Sequence, residues 1–330
     1  MKKLWTLLLL IYSFSILASD WKSPINIKYQ AKNPELYQTY EETFKLLNKW
    51  SGQNEKLMKA YENLTAIVKT DPEFAPAYRE FGRLYIMSAS NGSSYDTDML
   101  EVARQQIQKS IDLEPDYADS FVLLGHLYTN LGQYKKGRES LEKARDIGTE
   151  SPWLALNSAE LYKIHNSFEK EREEYLSVIQ SNTQNIKAKL VATTGMKKYY
   201  ERLKDFKEAD IWFEKSLEYS GHSAWTYGNH ASSLLYKRGD YDGAILYAEK
   251  ALKIMNYGNG RSILADALYS KWAEEQNKGN SKVAQESFDR AYDINPDIES
   301  VISFTKRYPG TKQTSKALQK WVDEKKDKGT

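Results

Sequence analysis

The chain is 330 residues long and 41% of its residues are hydrophobic, a content that excludes wholesale disorder. It contains no cysteine, which excludes disulfides, thiolate metal sites and cysteine nucleophiles. Its 47 basic residues nearly balance its 45 acidic residues, so the chain lacks the positive excess on which a general nucleic-acid binder relies.

The first twenty residues differ from the rest of the chain. Two lysines precede an apolar run from Leu4 to Leu17, and the small residues Ala18 and Ser19 follow it. This order is typical of a secretory signal peptide, and the run is shorter than the roughly 20 residues that a membrane-spanning helix needs. We therefore expect residues 1–19 to be a signal peptide and the mature chain to be exported without a transmembrane segment. The lack of cysteine favours the periplasm, and an uncleaved membrane anchor is the alternative.

A period of about 34 residues, a length typical of helical repeats, runs through most of the remaining sequence. It separates Gly125 from Ala159, and several other positions show the same step. Within Phe121–Ala144, apolar and small residues follow helical spacing on both sides of Gly132. This pattern predicts a helix, a turn at Gly132 and a second helix, repeated along the chain.

Small residues recur at two sites of this predicted hairpin. Gly125 lies on the first helix and Gly137 on the second, where small side chains let two crossing helices approach closely. The first site is matched by Gly82, Ala159 and Ser232, and the second by Ala60, Ala103, Ala209, Ala244 and Ala284. Glu171 and Thr193 depart from this pattern, which predicts looser packing around them.

The spacing of these sites predicts where insertions fall. The step from the second site of one hairpin to the first site of the next is constant in four cases, whereas the step within a hairpin varies. The four constant steps are Ala60 to Gly82, Ala103 to Gly125, Gly137 to Ala159 and Glu171 to Thr193. Insertions are therefore expected only in the loop between paired helices. The longest, at residues 88–99, is polar, and either a tolerated surface loop or a partner-contacting loop would explain it.

These features resemble the tetratricopeptide repeat family. Its helical hairpin carries a large residue, then Leu-Gly, Tyr, Ala, an aromatic residue, Ala and Pro, and the stretches FVLLGHLYTNLGQY and GDYDGAILYAEKALKI match closely. Prolines close three units, at positions 72, 115 and 296. Seven units can be traced, at residues 34–72, 75–115, 118–149, 152–183, 186–221, 225–256 and 258–296.

The resemblance implies an all-α fold, a right-handed superhelical solenoid of stacked helix-turn-helix repeats. About seven repeats are expected over residues 34–296. Residues 20–33 are expected to form an extended linker, and residues 297–330 a pair of polar helices that caps the stack.

No motif of catalysis or metal binding stands out. None of the four histidines has the spacing of a zinc protease, and residues 239–244 lack most ligands of a calcium loop. The many tyrosines and tryptophans are explained as repeat core. We therefore predict that the chain is not an enzyme and uses no cofactor or metal, with a hydrolase of unrecognised site as the remaining alternative.

The resemblance implies a protein- or peptide-binding scaffold of the cell envelope that binds through a concave groove. The alternative is an accessory factor in envelope assembly or polysaccharide export that binds a glycan or a membrane complex. The family register, carried over position by position, places these residues in the groove: Arg79, Arg83, His126, Asn130, Glu160, Lys163, Lys187, Thr194, Lys197, Asn229, Ser233 and Tyr236.

Five of these groove residues are basic and one is acidic. A basic groove in a nearly neutral chain favours an acidic peptide, a carboxy-terminus or an anionic glycan as the partner. The alternative is that these side chains belong to an ordinary solvated helix surface, because such surfaces are rich in lysine.

If Lys2, Lys3 and the Leu4–Leu17 run direct export and are then removed, the mature protein should begin between Ser19 and Trp21. N-terminal sequencing of the protein recovered from the soluble envelope fraction measures this. Recovery of an intact chain in the membrane fraction would contradict it.

Overall fold

The structure is a computed structural model that describes residues 22–50, 53–90 and 96–327. The predicted signal peptide and the centre of the 88–99 insertion lie outside these residues. Within the described ranges the chain is helical and contains no strand, and the fold is an all-α helical-repeat solenoid. Over the same ranges, no helix combines the length and the apolar character needed to cross a membrane.

The helices of the described ranges are as follows: α1 Pro24–Lys32, α2 Pro34–Asn48, α3 Asn54–Thr70, α4 Ala75–Ala89, α5 Thr97–Leu113, α6 Ala118–Asn130, α7 Tyr134–Ile147, α8 Pro152–Ile164, α9 Phe168–Gln180, α10 Ile186–Arg202, α11 Phe206–Ser220, α12 Ala224–Ser233, α13 Tyr241–Ile254, α14 Gly258–Lys278, α15 Ser281–Ile294, α16 Ile298–Thr305 and α17 Lys312–Asp327. A π-helical turn, Leu234–Arg238, extends α12. From α2 to α15 each traced repeat contains two consecutive helices, whose bounds agree with those of the repeat to within one residue.

The segment expected to be an extended linker is helical in its described part, so that expectation was wrong. Pro24 occupies the first turn of α1, where its missing N–H costs nothing, and the Ser23 hydroxyl accepts a backbone N–H at 3.1 Å. The helix packs on α2 and α4. Its Tyr29 ring is buried against Phe74, with 4.8 Å between the ring centroids.

Close approach of the paired helices at the small sites is confirmed. A Cβ atom on Gly125 would lie 2.6 Å from Cδ2 of Leu141 and 3.1 Å from the carbonyl oxygen of Gly137. No side chain fits there without displacing the neighbouring helix. The alanines at the second site are all 0% exposed: Ala60, Ala103, Ala209, Ala244 and Ala284. Gly132 lies in the turn with φ of 70°, a conformation that favours glycine.

In the sixth hairpin the small residue at the first site is Ala231 rather than Ser232. Ala231 is 0% exposed and follows Ala209 by the constant step seen in the other repeats. Its separation from Ala244 is one residue longer than the corresponding separation in the third hairpin. The π-helical turn that follows α12 accommodates the additional residue, because such a turn holds one residue more than an α-helical turn.

Insertions are not confined to loops, so that prediction was wrong for the fifth hairpin. Its first helix, α10, has 17 residues, against 13 in the equivalent α6. Only residues 203–205 connect α10 to α11. The additional residues therefore lengthen the first helix, which carries side chains that a loop would not hold in a fixed register.

The chain divides into two compact units, one ending at Tyr199 and one beginning at Tyr200. We call them unit 1 and unit 2. In unit 2, the carboxy-terminal helices pack on the last repeat: Leu318 of α17 is 0% exposed, and the Thr314 hydroxyl donates to Oγ of Ser270 in α14 at 2.8 Å. Glu171 and Thr193, the two exceptions to the small-residue pattern, are both 0% exposed in unit 1.

Replacement of Gly125 by leucine should lower the free energy of unfolding by about 1–3 kcal/mol, because the new side chain overpacks the contact with Leu141. Gly258→Leu is the matched control, since a Cβ atom there meets nothing within 4 Å. Urea denaturation of both variants measures the difference. Equal losses of stability would contradict the helix-crossing role of Gly125.

Candidate binding surface

The predicted groove residues lie on the first helices of five repeats, but they belong to two units. Those from Arg79 to Lys197 are in unit 1, on α4, α6, α8 and α10, and those from Asn229 to Tyr236 are in unit 2. Each unit therefore presents its own set.

Arg79 and Arg83 of α4 both pair with Glu80, which is 0% exposed. The Arg83 guanidinium lies 3.3 Å from the Glu80 carboxylate and donates to Oδ1 of Asn48 at 2.6 Å. Both arginine side chains are largely buried, and burial lowers the pKa of Arg83. The two arginines are thus part of the packed interior of unit 1, where Glu80 offsets one of their two charges. Sequence analysis missed Glu80, because nothing in its spacing shows that it is buried.

His126 joins α6 to α8 through a chain of polar side chains. Its Nδ1–H donates to Oδ1 of Asn157 at 3.1 Å, and Nδ2 of Asn130 donates to its Nε2 at 3.1 Å. Burial lowers the pKa of His126, which keeps the ring neutral at pH 7. We call His126, Asn130 and Asn157 the polar ladder; Asn157 was not among the predicted residues.

The remaining charged groups of unit 1 differ in how far they reach solvent. Lys163 pairs with Glu160 at 2.5 Å. Lys197 is only 7% exposed, so its charge lies inside the unit. Lys187 of α10 is exposed; desolvation, and then the nearby charge of Arg83, lower the pKa of Lys187. Arg83 and Lys187 are therefore close enough to repel each other, although they come from the second and fifth repeats.

In unit 2 the structure places two of the three predicted residues inside the fold. The Ser233 hydroxyl donates to Oε1 of Glu201 at 2.5 Å, and the Tyr236 hydroxyl donates to Oδ2 of Asp266 at 2.7 Å. Only Asn229 is exposed. Ser233 and Tyr236 thus bond to carboxylates inside unit 2 rather than meeting solvent.

Asp266 occupies the position of the first small site in the seventh hairpin, because it follows Ala244 by the step that is constant between hairpins. It is 3% exposed. Burial raises the pKa of Asp266 to about 7, against the opposing effect of the Tyr236 hydrogen bond. A neutral carboxyl group can replace a small residue at a helix crossing more readily than a charged one.

Comparisons with known proteins agree with this architecture. Residues 118–147 match the tetratricopeptide repeat family model. A comparison with curated protein sequences finds no match. A chain of the APC/C hetero-tetramer Cut9-Hcn1 has a similar structure, at 17% identity and a TM-score of 0.57, over 74% of this chain and 45% of that chain. This chain therefore spans less than half the length of that relative.

Two further structures are similar over almost their full length. They are pilF of Pseudomonas aeruginosa, at 17% identity and a TM-score of 0.52, over 72% of this chain and 99% of that chain, and PilW, a widely conserved type IV pilus biogenesis factor, at 16% identity and a TM-score of 0.53, over 70% of this chain and 97% of that chain. At such identities the likeness concerns the fold.

The buried carboxyl of Asp266 should make stability depend on pH. Below about pH 4 the group is protonated in both states; between about pH 4 and pH 7 only the unfolded chain has released the proton, so the free energy of unfolding falls as the pH rises. At about 1.4 kcal/mol per pKa unit, the loss is on the order of 4 kcal/mol.

Thermal melts of Asp266→Asn from pH 4 to pH 8 measure this contribution. In the wild type the melting temperature should fall as the pH rises from 4 to 7, and in Asp266→Asn most of this fall should be absent. Asp293→Asn, at an exposed aspartate of α15, is the control and should show the same fall as the wild type. An unchanged slope in Asp266→Asn would show that the group is ionised in the folded protein.

Proposed function

We propose that this chain, whose residues 118–147 match the tetratricopeptide repeat model, is a non-enzymatic scaffold that binds a partner protein or peptide on the first helices of unit 1. The observation that carries the proposal is the polar ladder of α6 and α8, together with the exposed Lys187 of α10. The first helices of unit 1 thus supply both hydrogen-bonding groups and a positive charge.

The polar ladder suits recognition of an extended peptide backbone. Within the described residues, the amide N–H groups of Asn157 and the carbonyl oxygen of Asn130 make no hydrogen bond. The side chains are held by His126, so their remaining donors and acceptors are presented in fixed positions. A peptide can use such groups without the entropy cost of ordering them.

The charges of unit 1 favour an acidic partner. Glu80 pairs with Arg79 and Arg83, Asp119 lies close to Arg79, and Glu160 pairs with Lys163. The exposed Lys187 forms no ion pair within the described residues. Desolvation, and then the charge of Arg83, lower the pKa of Lys187, and an anion bound near Lys187 would favour its charged form. A carboxylate of a peptide side chain or carboxy-terminus has the required charge.

The place of action that we propose is the cell envelope, and specifically the periplasm. Support for it comes from the amino-terminal segment and its signal-peptide pattern. PilW, with which this chain shares its fold, is a type IV pilus biogenesis factor. The alternative function is an accessory role in envelope assembly or polysaccharide export, with a glycan or a membrane complex as the partner.

The test of this function uses a photo-crosslinking residue at position 187 of the full chain, and in a control at the exposed position 143 of α7. Irradiation of living cells should link a discrete protein partner through position 187 only. Equal products from both positions, or none from position 187, would contradict binding on the first helices.

Two double variants test whether the positive charge of the first helices contributes to partner binding. Lys163→Ser with Lys187→Ser should lower partner recovery about tenfold at low salt, with a smaller difference at high salt, because screening removes the same attraction. Lys135→Ser with Lys143→Ser on α7 removes the same charge elsewhere and should change nothing. Arg79 and Arg83 stay intact, because Glu80 would otherwise be left buried without its partners. Capture of a glycan with normal recovery of proteins would favour the alternative.

A further inference from the structure

Three of the connections between successive repeats carry an aromatic residue directly before the next first helix. Two are in unit 1, Phe74 before α4 and Tyr117 before α6, and both are 0% exposed. Helix α1 lies over them. The Tyr29 hydroxyl donates to the carbonyl oxygen of Glu73 at 2.7 Å, and the Tyr117 hydroxyl donates to Oδ1 of Asn26 at 2.7 Å.

Ion pairs also join α1 to the two connections. Lys28 of α1 pairs with Glu114 at 2.6 Å, and Lys32 pairs with Asp71 at 3.0 Å. Both acids lie in the connections that α1 covers. Unit 1 therefore shows how a short helix with a central tyrosine and basic side chains packs on acidic connections of the repeat.

In unit 2 the equivalent position before α14 is Tyr257, and it is not covered in the same way. Trp225 packs beside it, with 4.9 Å between the ring centroids, and is itself 55% exposed. Ile254 and Met255, in the connection that leads to Tyr257, are 54% and 39% exposed. We call these four residues the Trp225 surface. An exposed cluster of large apolar side chains on a protein surface is typical of an interaction site.

The Trp225 surface is built around a fixed ring. A Cβ atom on Gly228 would lie 2.0 Å from the Tyr257 hydroxyl oxygen, and one on Gly260 would lie 2.7 Å from its ring. The two glycines thus leave the space that the tyrosine fills. A rigid aromatic anchor loses little conformational entropy when a partner packs on it.

The charges beside the Trp225 surface have the opposite sign to those of the connections in unit 1. Lys253 precedes Ile254, and Arg261 donates to Oδ1 of Asn256 at 2.9 Å. Both are exposed, and neither forms an ion pair within the described residues. A helix that packs here as α1 packs in unit 1 would need acidic side chains where α1 has lysines.

We propose that the Trp225 surface docks a short amphipathic helix of a partner protein, with an aromatic residue against Trp225 and Tyr257 and acidic residues toward Lys253 and Arg261. This goes beyond the proposed function, because it assigns a second interaction site to unit 2, on a repeat connection rather than on the first helices of unit 1. Either proposal can be wrong while the other is right, because each concerns a different surface.

The probe is a fluorescein-labelled peptide of residues 22–33 in which Lys22, Lys28 and Lys32 are replaced by glutamate, so that its charges are reversed. Fluorescence anisotropy with the full mature protein measures its binding. The reversed peptide should bind, and the peptide of native sequence should bind at least about tenfold more weakly, because its lysines face Lys253 and Arg261.

Two variants locate the bound probe. Trp225→Ala should weaken binding by about tenfold or more, as expected for a central aromatic anchor. Lys253→Glu with Arg261→Glu should weaken it similarly and reverse the preference between the two peptides. Tyr292→Ala, at a tyrosine that is 46% exposed on α15, is the matched control and should leave binding unchanged. Circular dichroism melts confirm that each variant folds.

Absence of binding to the wild type, or equal binding to Trp225→Ala, would overturn the proposal. Neutral oligosaccharides on a glycan array provide the competing outcome. If they bind the wild type and not Trp225→Ala while the peptide fails to bind, the surface recognises carbohydrate and the proposal of a helical partner is wrong.

Discussion

The close approach of two helices at a small residue is the constraint on which each repeat depends. Where Gly125 meets Gly137 the two backbones are so near that a Cβ atom on either glycine would lie within 3.2 Å of the other's carbonyl oxygen. This contact fixes the crossing of α6 and α7, and therefore which residues of α6 face the core. The polar ladder lies on the same helix, where His126 of α6 bonds to Asn157 of α8.

The same constraint explains which features the sequence predicted. A larger residue at a helix crossing would force the two helices apart, so small residues recur at a regular spacing in the sequence. That spacing predicts the hairpins and their order. The helical first segment was also encoded: Ser23 and Asn33 are caps, and each precedes a proline at the first turn of a helix. The segment was nevertheless predicted to be an extended linker, because these start signals lie outside the repeat pattern.

Other features depend on contacts that no local pattern shows. The π-helical turn shifts the sixth small site by one residue, to Ala231, since core packing rather than periodicity decides where a helix bulges. Arg83 was predicted to face a partner, yet it holds Glu80 and Asn48, and Asn48 belongs to the preceding repeat. Burial of that kind is a property of the assembled repeats.

The two units combine one architecture with different surface chemistry. In unit 1, α1 covers the two repeat connections before α4 and α6. Unit 2 instead buries two of its predicted groove residues and leaves Trp225 exposed. The repeats hold the helices at fixed spacing, and the side chains that remain exposed to solvent determine what each surface can bind.

Binding of a partner on the first helices of unit 1 can be measured by hydrogen-exchange mass spectrometry of the complex with the partner linked through position 187. We expect slower exchange in peptides from α6 and α8 and unchanged exchange in α7 and α9. Protection of α7 and α9, with α6 and α8 unaffected, would contradict it.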